Sequence, residues 1–234
     1  MQQIAPIYVM GAISKPVEEI KKMFKDRILH LFDLDGTAID SFHRVAPCLE
    51  ANGDLNLSRY RAEACKHEKI MADRLLPLAD HMKALIDKGE SVGICTARFM
   101  RKSDYVFLRQ HGLKTAIIAS RDRLHKAFPP DMAQAIMRSG DAAYKSAWLQ
   151  HLKATRTETV IHLYDDHDGV LEAAASLGVV TFDAKSINER LDLAFRQGMQ
   201  EALDQQAQDD FDLLPDEALP MLDDHDALTF GALV

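Results

Sequence analysis

The sequence has few cysteines, and none is spaced for a common covalent or metal framework. Cys48, Cys65 and Cys95 are odd in number and form neither a Cys-x-x-Cys pair nor a Cys/His cluster. This excludes a disulfide scaffold and a structural zinc site. A reducing compartment fits this cysteine usage, and we expect a cytoplasmic protein.

Long apolar runs are also missing. No window approaches the roughly 20 consecutive apolar residues that a membrane span needs, and the chain does not open with a basic segment ahead of an apolar one. We therefore expect no membrane partner.

Three common cofactor motifs are absent as well. No GxxxxGK[ST] stretch occurs, which excludes a P-loop kinase. The segment Asp166–Gly169 imitates part of a calcium loop, but Tyr164 occupies the first ligand position and no glutamate closes the loop. His162 and His167 have no second His/Cys cluster near them in sequence, so we interpret them as strand and turn residues.

Positive charge is in deficit, with 28 Lys and Arg against 36 Asp and Glu and a net charge of −8. This balance argues against a general nucleic-acid-coating protein. The charge is unevenly distributed, because residues 98–126 contain eight basic and two acidic residues, whereas residues 201–234 contain ten acidic residues and no Lys or Arg. The first segment is locally suited to anionic partners.

The chain has the 47% hydrophobic and 27% charged composition of an ordinary globular protein. Short apolar runs alternate along it with amphipathic segments of helical period. This alternation predicts an α/β fold, a Rossmann-like and mainly parallel sheet with helices on both faces. The predicted strands are Ile28–Leu34, Ser91–Cys95, Thr115–Ala119, Thr159–Tyr164 and Val179–Phe182.

Three segments fall outside this alternation. Residues 1–26 are expected to form an N-terminal extension with a short strand at 4–13 and a helix at 15–25, ahead of a core at 27–204. Residues 41–76 lack a long apolar run and are expected to form a small helical insertion after the first strand of the core. Residues 205–234 are acidic, contain two prolines and are expected to be a flexible tail after a last helix ending near Leu203.

Polar side chains follow the predicted strands where each strand ends. Asp33 and Asp35 end the first apolar run, Thr96 follows Ser91–Cys95, and Asp165 and Asp166 follow Thr159–Tyr164. The carboxyl ends of parallel strands share one edge of a sheet, where such folds place their functional groups. Neighbouring carboxylates need a compensating cation, and a hard metal ion with oxygen ligands is the expected one.

In this order the residues resemble the haloacid dehalogenase-like (HAD) hydrolases. Four elements match over about residues 27–183: Asp33-x-Asp35-Gly-Thr, then Thr96, then Lys145, then the Asp165–Asp166 pair. The resemblance implies a HAD-like fold and a phosphomonoester hydrolase that works through an aspartyl phosphate.

The resemblance also implies roles for the acids. Asp33 would be the nucleophile, and Asp35 would protonate the leaving oxygen and then activate water. The implied cofactor is Mg²⁺, held by the Asp33 side chain, the Asp35 backbone carbonyl and the last acidic pair. Within that pair we expect Asp166 to bind the metal directly and Asp165 to assist.

Two further positions complete the implied site. Thr96 would hydrogen-bond a phosphoryl oxygen, although a threonine at a strand end is often only a cap. Lys145 would neutralise the nucleophile and the phosphate, and we prefer it to Lys126 and Lys153 because it lies about twenty residues before the Asp pair.

The substrate is less constrained. Ala97 and Arg98 follow Thr96, and with Arg101 and Lys102 they are expected to form a basic, substrate-binding lip. The Thr-Ala-Arg element and the basic helix after it resemble the phosphatase halves of polynucleotide kinase-phosphatases and related bacteriophage proteins, which implies a nucleotide or a nucleic-acid end as partner. A small-metabolite phosphatase and a catalytically idle HAD-fold binding or regulatory protein remain as alternatives.

Overall fold

The computed structural model describes residues 27–156 and 160–212. The strand and helix expected within residues 4–25 lie outside the described residues. None of the helices in the described part of the chain is long and apolar enough to cross a membrane.

A five-stranded parallel sheet forms the centre of the first of two compact units, whose described residues are 27–156 and 160–189. Its order is β5-β4-β1-β6-β7, and every neighbouring pair is parallel. The sheet strands are β1 Ile28–Phe32, β4 Ser91–Cys95, β5 Ile117–Ala119, β6 Val160–Asp165 and β7 Val180–Asp183. The predicted α/β fold is confirmed, with each strand displaced by at most two residues at either end.

Helices cover both faces of this sheet. In chain order the helices of the described residues are α1 Phe42–Val45, α2 Leu57–Arg59, α3 His67–Met71, α4 Leu78–Asp87, α5 Lys102–Gln110, α6 Leu124–Ala127, α7 Pro130–Arg138, α8 Asp141–Thr155, α9 Asp168–Ser176 and α10 Ala184–Asp212. Helices α4 and α5 cover one face of the sheet, and α8 and α9 cover the other. Short 3₁₀ turns at Ala46–Cys48 and Arg121–Arg123 and a π-helical turn at Tyr60–Ala64 accompany them.

The alternation of side chains along β1 divides the core into two layers. Leu29 and Leu31 pack with the buried residues of α8 and α9, whereas Phe32 packs with those of α4 and α5. Both faces of the strand are therefore apolar, as expected for a central parallel strand. Gly93 on β4 is also fixed by this packing, because a Cβ there would lie 2.9 Å from side-chain atoms of Leu31 and Ile117.

The segment between β1 and α4 leaves the sheet and returns to it. Strands β2 (Ile39–Asp40) and β3 (Arg74–Leu75) pair antiparallel and enclose helices α1 to α3. We call residues 41–76 the insertion; its helices are short, as the lack of apolar runs indicates.

Two regions differ from the sequence-based expectation. The polar stretch at residues 121–138 carries no predicted element, yet it forms α6 and α7, because Pro130 begins a helix instead of breaking one. The last helix, α10, continues to Asp212 instead of ending near Leu203. Its residues from Arg190 onward belong to the second unit, 190–234, where Leu193 and Phe195 are exposed.

Candidate active site

The polar residues predicted at strand ends meet at one edge of the sheet. Asp33 directly follows β1, Thr96 follows β4, and Asp165 is the last residue of β6. Since β1 lies between β4 and β6, Asp33 stands at the centre of this edge. Lys145 reaches the same point from the second turn of α8.

Lys145 bridges two of the carboxylates. Its Nζ lies 2.8 Å from Asp33 Oδ2 and 2.6 Å from Asp165 Oδ2, and all three side chains are at least nine-tenths buried. Burial alone would lower the pKa of Lys145, but the charges of Asp33 and Asp165 outweigh it and hold the pKa above its ordinary value. Lys145 is therefore a cation at neutral pH. Lys126 and Lys153, the alternatives considered from sequence, are exposed instead.

Three carboxylates converge beside this lysine. Asp33, Asp165 and Asp166 each offer an oxygen atom, and these atoms lie within 4.8 Å of one another. Burial, and then the charge of Asp33, raise the pKa of Asp165 to about 6 and also raise the pKa of Asp166. The site therefore holds more negative charge than Lys145 neutralises.

One buried oxygen of this cluster lacks a hydrogen-bond partner. Asp33 Oδ1 is buried and unpaired among the described residues, whereas both oxygens of Asp165 are engaged, by Lys145 and by the His167 amide at 3.1 Å. An unpaired buried carboxylate oxygen is unfavourable unless a ligand completes it. Carboxylate oxygens in this arrangement fit a hard divalent cation such as Mg²⁺.

Gly36 allows the acidic pair to approach the turn after β1. It has a φ of +76°, and a Cβ there would overlap the Asp166 carboxylate, lying 2.7 Å from its Cγ. Any side chain at this position would therefore displace Asp166 and also strain the backbone. This contact explains why glycine follows Asp35.

Asp35 lies at the opening of the site, with 37% of its side chain exposed. It accepts hydrogen bonds from Ser41 Oγ and from the Arg98 guanidinium, with Arg98 Nε at 3.0 Å from Oδ2. Burial would raise the pKa of Asp35, but Arg98 and Ser41 outweigh it and lower the pKa to about 2. Asp35 is thus ionised and paired with Arg98 in this structure.

At Arg98 the structure differs from the basic lip expected from the sequence. Arg101 and Lys102 are exposed as predicted, but Arg98 is only 7% exposed and also binds Asp104 at 2.5 Å. Its role in substrate binding stays a prediction. The missed residue Asp104 is a helix-capping acid, since it also accepts the Arg101 amide at 2.7 Å, and that capping position was the only signal for it.

A closed ring of charges joins the insertion to the core. Arg44 binds Asp73 through two hydrogen bonds of 2.8 and 3.0 Å, and it lies 3.7 Å from Asp35. Asp73 in turn lies 3.7 Å from Arg98, which binds Asp35. Arg44 and Asp73 are buried and were not found from the sequence, because their 29-residue separation follows no motif.

Thr96 is buried, and its neighbours are fixed through their backbone. Thr96 Oγ1 accepts the Arg98 amide at 3.2 Å, and its carbonyl accepts the Tyr144 hydroxyl at 3.1 Å. The Ala97 carbonyl accepts Arg121 Nε at 2.8 Å. The turn after β4 is thus held rigidly next to Asp33.

A parallel sheet that presents Asp33, Asp35, Thr96, Lys145 and the Asp165–Asp166 pair at one edge, in this chain order, defines a HAD-like phosphohydrolase. Two comparisons narrow this class. The model of the bacteriophage T5 5'-deoxynucleotidase family matches residues 20–228, and the chain belongs to that family. The 5'-deoxynucleotidase of Escherichia phage T5 is 43% identical over 188 residues, which cover 78% of this chain and 77% of that protein.

The solved structures to which the chain is similar are more distant. A hydrolase from Streptococcus pneumoniae has a TM-score of 0.45 and 13% identity, covering 72% of this chain and 100% of its own. A HAD-superfamily hydrolase of subfamily IA from Geobacter sulfurreducens has a TM-score of 0.41 and 15% identity, covering 71% of this chain and 97% of its own.

Proposed function

We propose that this enzyme is a magnesium-dependent 5'-deoxynucleotidase that works through an aspartyl phosphate. The observation that carries the proposal is the state of Asp33, a buried carboxylate with one oxygen held by Lys145 and the other without a partner among residues 27–156 and 160–212. The 5'-deoxynucleotidase name of the phage T5 relative supports the substrate class.

Asp33 is the nucleophile in this proposal. Its carboxylate attacks phosphorus, the bond from phosphorus to the ester oxygen breaks, and the nucleoside leaves with a proton from Asp35. Water then attacks the aspartyl phosphate while Asp35 takes up its proton, which returns Asp33 and releases inorganic phosphate. Because Asp35 is ionised and paired with Arg98, this pair has to open and Asp35 has to take up a proton before it can protonate the leaving oxygen.

The other residues bind and neutralise the phosphate. Lys145 is a buried cation beside Asp33 and offsets the charge that the phosphoryl group adds. Thr96 donates its hydroxyl to a phosphoryl oxygen, and the Ala97–Arg98 turn encloses the group. Arg98 is the guanidinium that moves from Asp35 to the phosphate.

Asp33 and Asp166 would hold Mg²⁺ with the Asp35 carbonyl, and Asp165 would assist by fixing Lys145. This division is supported by the engaged oxygens of Asp165 and by the Asp33 oxygen that has no hydrogen-bond partner among the described residues. When bound, the ion neutralises charge on the phosphate. The free, buried thiols of Cys48 and Cys95 support a reducing, cytoplasmic setting.

Phosphate release from a panel of deoxynucleoside monophosphates and sugar phosphates tests the proposal. We expect release from the nucleotides with Mg²⁺, loss of release on chelation, and a loss of at least 10³-fold in Asp33→Asn, on the order of the effect of removing a nucleophile. Asp80→Asn, which changes an exposed aspartate on α4, is the matched control.

Other outcomes point to the alternatives. Equal rates on sugar phosphates would indicate a metabolite phosphatase. A folded protein that releases no phosphate and gains no thermal stability from Mg²⁺ would indicate an idle binding protein.

A further inference from the structure

A cleft opens at the same edge of the sheet as the candidate active site. Its volume is about 550 Å³, within the range of small-molecule sites, and it lies between the turn after β4, the segment after β5 and helix α7. Phe99, Leu124 and Met137 line it with apolar surface, and His125, Gln134 and Arg138 contribute polar groups.

The turn after β4 connects the cleft to the candidate active site. Phe99 is the third residue after Thr96, in the same turn. Arg121 ties this turn to α7, because its guanidinium donates to the carbonyls of Ala97 at 2.8 Å and Met137 at 2.9 Å. It also binds Asp141, which lies one helical turn before Lys145. These contacts connect the cleft to the turn that follows Thr96 and to the start of α8, the helix that carries Lys145.

The lining suits a flat heteroaromatic ring. Phe99 is 57% exposed, which leaves part of its ring accessible for stacking. Gln134 offers both hydrogen-bond donors and an acceptor, and His125 and Arg138 are exposed. Asp122, also in the lining, is already used by the Met100 amide and Ser120.

We propose that this cleft is the subsite for the base of the nucleotide, with the base stacked on Phe99 and its polar edge facing Gln134. The proposal rests on the proposed function, because it assumes a nucleotide substrate. A second cleft of about 300 Å³, lined by Ser91 and Ile117, lies at the amino ends of β4 and β5, at the opposite edge of the sheet from Lys145.

The insertion offers a competing surface. Phe42, at 65% exposure, follows Ser41, whose hydroxyl binds Asp35. Phe42→Ala therefore serves to distinguish the two locations, while a methionine pair on α7 supplies a matched control. Met137 lines the cleft, whereas Met132 is exposed on the same helix and does not line it.

The experiment measures deoxynucleoside binding by calorimetry and the ratio of kcat/KM for deoxynucleotides to that for 2-deoxyribose 5-phosphate. Phe99→Ala should weaken nucleoside binding and lower the ratio by about tenfold, since stacking of a base on an aromatic ring contributes roughly 5- to 150-fold to binding. Met137→Ala should lower the affinity for deoxynucleosides and the kcat/KM ratio several-fold, and Met132→Ala should leave these two quantities unchanged.

The two proposals fail in different ways. In one outcome the wild-type enzyme releases phosphate from nucleotides, while Phe99→Ala and Met137→Ala change neither deoxynucleoside binding nor the kcat/KM ratio. That result overturns the base subsite alone. A loss that appears in Phe42→Ala instead overturns the subsite too, because it places the base on the insertion. Nucleoside binding that depends on Phe99 in a protein releasing no phosphate would retain the subsite and overturn the proposed hydrolysis.

Discussion

Lys145→Met tests the arrangement at the centre of the site. The substitution keeps an unbranched side chain, one atom shorter, but leaves Asp33 and Asp165 as neighbouring buried carboxylates without their shared cation. Removing one partner of a buried ion pair typically costs about 3–5 kcal/mol in the free energy of unfolding. For a unit of this size that corresponds to a fall in Tm of roughly 6–20 °C.

The stability lost in Lys145→Met should depend on pH, and the pKa of Asp165 sets the direction of that dependence. The pKa of Asp165 is raised to about 6, above its unfolded value, even with Lys145 present, and removing the lysine raises it further. A carboxyl whose folded pKa is raised destabilises the fold at pH values above that range and loses this effect once protonated. The loss of stability in Lys145→Met should therefore be large at pH 7.5 and smaller at pH 5.5.

Urea unfolding in the presence of a chelator, at both pH values, measures these changes. Asp165→Asn in the Lys145→Met background should recover at least about 1 kcal/mol, because it removes one of the two uncompensated charges. A loss below about 0.5 kcal/mol, or one that does not change with pH, would refute the assignment of Lys145 as the neutralising cation.

Three further perturbations follow from the contacts. Gly36→Ala should displace Asp166 and weaken Mg²⁺ binding at least tenfold, whether or not the fold is retained. Titration with Mg²⁺ measures this affinity, and an unchanged affinity would contradict the close approach of Gly36 and Asp166. Arg44→Met should lower the free energy of unfolding by about 3–5 kcal/mol, because Asp73 stays buried without its partner, and Asp73→Asn added to it should recover part of that loss. Burial, and then the charges of nearby histidines, lower the pKa of His30 below its ordinary 6.5, so protonation opposes folding and stability should fall as pH drops below about 6.5. His30→Gln should flatten this decline in unfolding curves between pH 7.5 and 5.5, and an unchanged decline would assign it to other groups.

Much of the fold was predictable from the sequence because the sheet is buried on both faces. A central strand such as β1 must be apolar throughout, so its apolar run located it to within two residues: the strand was predicted to reach Leu34 and ends at Phe32. Helix α7 was not predictable in the same way, since the Pro129–Pro130 pair signals a break and a helix start equally well. The base subsite depends on that missed helix and was therefore not accessible from sequence.

The residues of the candidate site were also only partly predictable from the sequence. Residues at strand ends and at a fixed spacing, such as Thr96 and Lys145, were found, although their catalytic roles stay predictions. The inward orientation of the Arg98 side chain was not predicted. It depends on Asp104 and Asp35, and tertiary packing sets where these two residues lie relative to Arg98.

The ring formed by Asp35, Arg44, Asp73 and Arg98 has a consequence for exchanging parts between enzymes of this fold. Two of its members belong to the insertion and two to the core, and each arginine has an aspartate from both. If an insertion from another phosphohydrolase replaced residues 41–76, Asp35 and Arg98 of the core would lose the opposite charges that Arg44 and Asp73 provide. Chimeras should therefore keep Arg44 and Asp73 as a unit, and the insertion and core of this enzyme are constrained to change together.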